Sequence, residues 1–600
     1  MTGIKRDKSG RWKVLIVALT ALLLSPAGVH AEEEDATSDM AIARNLAVFN
    51  SLYKELNTFY VDTINAQKSI ETAINAMLDD IDPYTEYIPA KQQEDFMTIS
   101  TGEYGGIGSV IMERKGEVYI SEPYEGSPAA RAGLKAGDKI VMIDGDSVSG
   151  WGNKKVSEHL KGQPSTKLRV VVERPYTDST LTFDITREKI NVNPVPYYGV
   201  IRGNIGYIGL NTFSQKSADA VREALTELRA NKAVKMIALD LRGNGGGLLE
   251  SAVQIVGMFV PKGTQVLQTR GRNKQQEKTY KTTQEPIDTE IPLVVMIDGG
   301  SASSAEIVAG SLQDLDRAVI VGARSFGKGL VQTTRTLPYE GLLKVTISKY
   351  YIPSGRLIQA IDYSHRNPDG TVARIPDSLT TVFHTANGRE VRDGGGITPD
   401  VKIDYPQINR LIYNIISDNW AFDFGTKYAA EHQSIGRAED FEITDSIYEQ
   451  FKASIDPTQF KYDKVCEEGL KSLRKVAEAE GYMNDSTKAQ FDALEKLLKH
   501  NLNHDLDVHR DEIAEILAGE ILRRYYYQRG DAIAQLKGDE TVDAVEKIVN
   551  TPGEWERILC RGKREEVRGL ADARCDGWRW GWWCAGWLGR TKARPYVAIQ

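Results

Sequence analysis

The sequence predicts a multidomain chain of mixed α+β and α/β class, on three observations. First, 600 residues are too many for a single hydrophobic core. Second, the texture changes along the chain: helical period over 32–101, short β runs broken by glycine over 102–190, alternating strands and helices over 191–405, and helical period again over 406–550. Third, the two ends differ from this body: 1–31 is a basic and then apolar leader, and 551–600 is an atypical tail rich in tryptophan and cysteine. Bulk composition, 41% hydrophobic and 26% charged, is ordinary for a globular protein and does not choose between enzyme and scaffold.

The leader carries Lys5, Arg6, Lys8, Arg11 and Lys13, then the apolar run Val14 to Leu24, then small residues at the −3 and −1 positions of a cleavage site after Ala31. This is the pattern of a secretory signal peptide, with an uncleaved anchor as the alternative. It places the mature chain in the periplasm or cell envelope. The absence of a cysteine near Ala31 argues against lipoprotein processing, and no other run is long enough for an integral span. Loss of five basic residues and Asp7 makes the mature chain more acidic than the −8 of the whole, which disfavours nucleic acid as a partner. A lone Cys466 in the first 559 residues excludes a disulfide scaffold. No Cys/His spacing reads as a metal site; His500, His504 and His509 are interleaved with Asp and Asn and read as a solvated helix end.

The helical stretch contains "IARNLAVFNSLYKEL" and "SIETAINAMLDDI", and "DIDPYTEY" breaks it at Pro83. Beyond it, "GSVIM", "EVYIS", "KIVMID", "TKLRVVVER" and "TLTFDITRE" read as strands and "SPAARAGL" as a short helix. With "GSPAARAGLKAGDKIVMIDG", this stretch resembles a PDZ domain. Tyr104, Gly105, Gly106, Ile107 and Gly108 sit where such domains bind a peptide's terminal carboxylate. Glycines there let successive N–H groups converge on an anion, and an extended peptide can pair with the adjacent strand edge. The plainer alternative is a tight turn.

From 191 to 405, "VKMIALDL", "PLVVMID" and "AVIVG" read as buried strands, and "SADAVREALTELRAN" and "SAEIVAGSLQDL" as helices. "GARSFGKGL" (322–330) fits a phosphate loop until Gly329 stands where a hydroxyl should bind magnesium. The β-branched, proline-containing continuation also supplies no helix. Upstream, "GGSASSAEI" reads as a glycine turn entering a helix. Ser303 and Glu306 have capping-box spacing, so a helix cap is the plain reading of Ser303. The same helix N-terminus could stabilise an oxyanion beside a nucleophile. Such a serine needs a base, and no histidine lies between His159 and His365. Lysine is the known alternative, provided its pKa falls from about 10.4 to about 7, roughly 4.6 kcal/mol of destabilisation of the ammonium. Phe326, Leu330 and Val331 flank Lys328, and its nearest carboxylates in sequence are Asp316 and Glu340, so the local sequence favours that loss.

"GGSASSAEI" followed by "GARSFGKGLVQ", with "DLRGNGGGLL", "KYYIPSGRLI" and "GGGITPD", is similar to the signature of the C-terminal processing (tail-specific) peptidases, over roughly two-thirds of the chain. The resemblance implies a PDZ domain on a crotonase-like α/β Ser–Lys peptidase core, and a serine endopeptidase that takes proteins by their C-terminal tails without a cofactor. It implies Ser303 as nucleophile, Lys328 as general base and Gln332 as the residue orienting the lysine. The backbone N–H groups of Gly246 and Ser304 become oxyanion donors, and Asp240 and Arg242 hold the glycine loop. The family pattern S-A-S-A-S-E reads S-A-S-S-A-E here, which leaves Ser304 as a competing nucleophile. A non-catalytic PDZ-bearing periplasmic scaffold is the alternative function, and an enzyme held shut by its own PDZ domain is a third reading.

The region 406–550 has long charged helices, where an oligomer contact or an envelope adaptor protein could dock; Tyr525 to Tyr527 reads as packing. In the tail, five of nine tryptophans and three of four cysteines fall without helix or strand period, which suggests a reading-frame shift near Leu559 or a membrane or cell-wall segment.

Overall fold

A computed structural model describes residues 39–177, 180–367, 371–405, 409–462 and 464–560; the expected signal peptide and the segment after 560 lie outside the described residues. The chain divides into two units, 1–80 and 81–600. In the first, α1 (Asp39–Phe59) and α2 (Ala66–Asp79) follow the expected helical period. Asn65 caps α2, its side chain accepting from the Lys68 N–H at 2.9 Å.

The second unit opens with the segment around Pro83. It is not a simple break between helices: it runs into β1 (Glu86–Ile88) and then α3 (Gln93–Thr101). Next comes a small β domain with β2 (Glu103–Gly106), β3 (Ser109–Arg114), β4 (Glu117–Pro123), α4 (Pro128–Ala132), β5 (Lys139–Ile143), β6 (Asp146–Ser147), α5 (Asn153–Leu160), β7 (Lys167–Glu173), β8 (Thr180–Thr186) and β9 (Glu188–Asn191). Its sheet runs β3-β4-β5-β7-β8 with β6 on β5, and β2 pairs separately with β9. Alternate residues such as Val118, Ile120, Leu168, Val170 and Val172 fill its core. The short helix α4 has full punctuation: Ser127 accepts from the Ala130 N–H, Pro128 opens the first turn, and Gly133 ends it at φ +94°.

The core domain comprises β10 (Tyr197–Ile201), β11 (Ile205–Gly209), α6 (Ser217–Ala230), β12 (Met236–Asp240), α7 (Leu249–Val256), β13 (Gln265–Arg270), β14 (Lys278–Lys281), β15 (Leu293–Ile297), α8 (Ser304–Asp314) and β16 (Val319–Gly322). There follow β17 (Leu330–Thr336), β18 (Leu342–Tyr351), the hairpins β19 (Ile361–Arg366) with β20 (Val372–Arg374) and β21 (Val382–His384) with β22 (Glu390–Arg392), and β23 (Val401–Lys402). One sheet runs β10-β11-β12-β15-β16-β23, parallel except for the β10–β11 pair. A second, antiparallel sheet runs β1-β18-β13-β14, with β17 also on β18.

The parallel strands are apolar on both faces, and the faces have different covers. Ile237, Leu239, Val295 and Ile297 pack with Leu225 of α6, Val256 of α7 and Val308 of α8. Met236, Ala238, Val294 and Met296 pack instead with residues from the far end of the chain. The helices there are α9 (Arg410–Ser417), α10 (Trp420–Glu431), α11 (Asp445–Ser454), α12 (Val465–Ala479), α13 (Asp485–Leu497), α14 (Leu502–Val508), α15 (Arg510–Gln535), α16 (Glu540–Asn550) and α17 (Glu554–Leu559). Val542, Val545 and Ile548 of α16, with Ile558 and Leu559 of α17, form the second cover. A parallel sheet buried on both faces requires one. Helices α16 and α17 are therefore part of the α/β core, and residues 554–559 of the segment expected to begin an atypical tail are helical.

Tyr526 donates its hydroxyl to the Gly436 carbonyl at 2.7 Å, and Tyr527 interrupts α15 at φ 53°, so the tyrosine run does pack. "KYYIPSGRLI" also finds a role. Arg356, 1% exposed, pairs with Asp314 at 2.8 Å at the C-terminal end of α8, where a cation complements the helix dipole. Among the described residues no helix is long and apolar enough to cross a membrane.

Candidate active site

The turn between β15 and α8 brings Ser303 to the carboxyl end of the parallel strands. Its backbone is at φ 55° and ψ −115°, outside the left-handed helical region and far from the extended conformation of an ordinary cap. Such a conformation in a β-carbon residue costs about 1–3 kcal/mol and persists only where its surroundings enforce it. Here they do. Ala302 donates its N–H to the Asn244 carbonyl (2.9 Å), Tyr350 its hydroxyl to the Ser303 carbonyl (3.3 Å), and Ser303 its N–H to the Glu306 carboxylate (2.9 Å). The pair with Glu306 has the form of a capping box, and this last bond is its well-formed half.

Glu306 is fully buried and its two oxygens take four donors. Oε1 accepts from the Ser325 hydroxyl (2.5 Å) and the Gly327 N–H (2.6 Å). Oε2 accepts from the N–H groups of Ser303 and Lys328 (3.0 Å). One carboxylate thus joins the serine turn to the lysine loop. Burial raises its pKa, opposed by these four hydrogen bonds. The spacing of Ser303 and Glu306 gave half of this arrangement; the reach of Glu306 to residues 325–328 had no signal in the sequence.

Lys328 lies two residues before β17 in a half-buried position. Burial lowers its pKa to about 8, helped by the nearby Lys344 charge and opposed by Glu306, Asp82 and Glu86. The folded chain therefore surrounds it with carboxylates other than Asp316 and Glu340, and burial still prevails. Its Nζ lies 4.4 Å from the centre of the Tyr84 ring. Gln332, expected to orient the lysine, donates its amide to Thr346 Oγ1 at 3.1 Å.

Ser304 is buried and donates its hydroxyl to the Gly247 carbonyl at 2.9 Å, which occupies it as a rival nucleophile. Its backbone N–H opens α8, where helical N–H groups lack intrahelical acceptors. Gly246 lies against the same turn: a β-carbon there would meet Ser303 Cβ at 2.6 Å and Ser304 N at 2.9 Å, at φ +95°. In this arrangement the Gly246 N–H donates to Asn244 Oδ1 at 2.9 Å, so as an oxyanion donor it must exchange partners. Gly246→Ala is expected to lower kcat by about 10²-fold or more, read in a peptide-cleavage assay, because the loop must retreat from Ser303. Asp240 and Arg242 form a bidentate pair (2.9 and 2.6 Å) that Asp539, the cap of α16, extends at 2.5 Å.

In the small β domain, β3 is an edge strand, and Tyr104 to Gly108 precede it. The carbonyls of Gly105, Ile107 and Gly108 accept from the N–H groups of Gly162, Ala129 and Tyr124 (3.1, 2.9 and 2.9 Å). A trans peptide points its C=O and N–H in opposite directions, so the N–H groups of Gly108 and Ser109 face away from these partners. The Tyr104 ring covers Gly106, where a β-carbon would meet its Cε2 at 2.8 Å.

The arrangement is a small PDZ-type β domain joined to an α/β core that holds a strained serine turn. Residues 204–369 match peptidase family S41, 119–174 match the PDZ domain, and 411–549 match the C-terminal helical domain of probable PDZ-proteases. A carboxy-terminal-processing protease of Bartonella bacilliformis is 35% identical over 384 residues, covering 63% of this chain and 87% of the relative. A probable CtpA-like serine protease of Staphylococcus aureus is 29% identical over 510 residues, covering 83% and 92%. The solved photosystem II D1 C-terminal processing protease aligns at 28% identity and TM-score 0.32, over 59% of this chain and 86% of that one. The chain belongs to the carboxy-terminal-processing protease family within peptidase family S41.

Proposed function

We propose that this chain is an exported endopeptidase of the periplasm or cell envelope, in which a Ser303–Lys328 dyad cleaves proteins selected by their C-terminal tails. The observation that carries the reading is the enforced backbone of Ser303, far from the extended conformation of an ordinary helix cap. The lowered pKa of Lys328 supplies a base near neutral pH. The neutral amine takes the Ser303 hydroxyl proton as Oγ attacks the scissile carbonyl. The oxyanion takes hydrogen bonds from the N–H groups of Ser304 and Gly246, the latter released by Asn244. The intermediate collapses, the Lys328 ammonium protonates the leaving amine, and water hydrolyses the acyl-enzyme with Lys328 again accepting the proton.

Tyr104 to Gly106 lie in β2, paired with β9, so the tail carboxylate docks on the outward N–H groups of Gly108 and Ser109 just beyond that strand, while the preceding residues pair with the free edge of β3. Gln332 orients the amine in the active arrangement, exchanging Thr346 for Lys328. An unfolded protein with an apolar tail should be cleaved at least tenfold faster with a free than with an amidated C-terminus, at equal concentration. Equal rates would remove the tail from recognition. The Ser303→Ala chain should retain such substrates uncleaved; retention by both chains, with no cleavage by the wild-type chain, would favour the scaffold reading.

A further inference from the structure

The Lys328 amine has one close side-chain contact that the dyad chemistry does not use, the face of Tyr84 at 4.4 Å. An aromatic face at this distance attracts an ammonium and not a neutral amine. The ring is firmly placed. Asp82, 5% exposed, accepts from the N–H groups of Tyr84 (2.8 Å) and Thr85 (2.7 Å) and from the Thr85 hydroxyl (3.1 Å), forming an Asx turn. Immediately downstream, Glu86 to Ile88 pair with Lys344 to Leu342 of β18. The Tyr84 hydroxyl meets that of Tyr363 at 3.3 Å, with the rings edge to face at 5.9 Å. The Thr346 N–H donates to the Thr85 hydroxyl (3.3 Å), and Thr346 is also the acceptor for Gln332. The residue expected to orient the lysine is thus joined to the segment that carries the ring.

We propose that Tyr84 is a positioning residue whose ring face holds the protonated Lys328 side chain, and that the amine leaves this face for Ser303 once it has lost its proton to water. This rests on the assignment of Lys328 as the base. The other charged groups around the amine are Asp82 and Glu86 on the Tyr84 segment, Lys344 on β18 and Glu306 on α8; Glu86 and Lys344 are paired at 2.6 Å. The ring is the uncharged partner that distinguishes the two forms of the amine, so it raises the pH above which the base is free, against the larger effect of burial.

The test measures the amine directly. In the Ser303→Ala full-length chain, trace acetylation of Lys328 is followed against pH by peptide mass spectrometry. Tyr84→Phe keeps the face and should leave the midpoint in place. Tyr84→Leu, and trifluorophenylalanine at position 84, remove the negative face while keeping bulk. Each should lower the midpoint by about half a unit, a roughly threefold rise in neutral amine at pH 6.5. The fluorinated ring keeps the shape of the phenyl group, so the comparison survives if the leucine variant folds poorly. A midpoint unmoved or raised by the fluorinated ring overturns the proposal. With Ser303 restored, the acid limb of kcat/KM should move by the same half unit with KM unchanged. A moved labelling midpoint beside an unmoved activity profile keeps the Tyr84 contact and removes Lys328 from the role of base.

Discussion

Lys328→Met is expected to lower kcat/KM by at least about 10³-fold at pH 7 and, at the same pH, to make the folded chain more stable. The first effect follows from a side chain of nearly the same length that cannot accept a proton. The second follows from burial. Lys328 is held near 8 in the folded chain against an ordinary 10.5, so between these values the unfolded chain binds more protons and wild-type stability rises with pH. Below about 8 the whole penalty is present, at most about 3 kcal/mol for a half-buried amine with an aromatic partner. Urea denaturation at pH 7 should therefore favour the methionine variant, and its advantage should shrink by pH 10. With Lys328 as the base proposed above, the active form of the wild-type chain would be the neutral amine, about a tenth of the total at pH 7. Log kcat/KM should climb by about one per pH unit below 8 and level above it. Retained turnover in the variant, or a flat profile from pH 6 to 9, would remove the lysine from the chemistry.

The stability gain also explains why the sequence could suggest a base at 328 but not its surroundings. Phe326, Leu330 and Val331 are apolar neighbours of Lys328 in sequence, and burial does lower its pKa. The groups that oppose burial arrive from 22 or more residues away: Glu306 through its contact with the Lys328 N–H, and Asp82 and Glu86 through the pairing of β1 with β18. "DIDPYTEY" announced a turn, since Asp-Pro favours one and an Asp side chain reaches N–H groups two and three residues on. Nothing in eight residues says which strand the turn will lie against. The fold was more legible, because strand and helix periods are local properties. Its main surprise, the C-terminal helices covering the parallel sheet, was present in "LVVMI": five consecutive buried residues demand cover on both faces. The α/β region supplied helices for one face, and the apolar period of "TVDAVEKIVN" supplied the other.

Glu306→Gln is expected to lower kcat by at least about 10²-fold while changing KM little, and to reduce stability by about 3–5 kcal/mol. The substitution is nearly isosteric, so the argument is about donors. The carboxylate accepts at both oxygens, from one hydroxyl and three backbone N–H groups. An amide keeps one oxygen and offers two more donors in place of the other. If the amide oxygen is turned toward Ser303 and Lys328, its nitrogen confronts the Gly327 N–H. If it is turned the other way, its nitrogen confronts the N–H groups of Ser303 and Lys328 together. The Ser325 hydroxyl could reverse to accept, but it already accepts from the Ile397 N–H at 2.7 Å. At least one buried N–H is left facing another donor in every arrangement. The serine turn or the lysine loop must then move, and the backbones of Ser303 and Lys328 lose the spacing that the shared carboxylate sets. A purely structural defect would leave the pH profile of the residual activity where it was. Loss of the ionised carboxylate also withdraws a charge that favours the Lys328 ammonium, so the acid limb of that activity should lie below the wild-type value. A limb that stays at about 8, with normal stability, would show that the carboxylate neither fixes the dyad nor tunes its base.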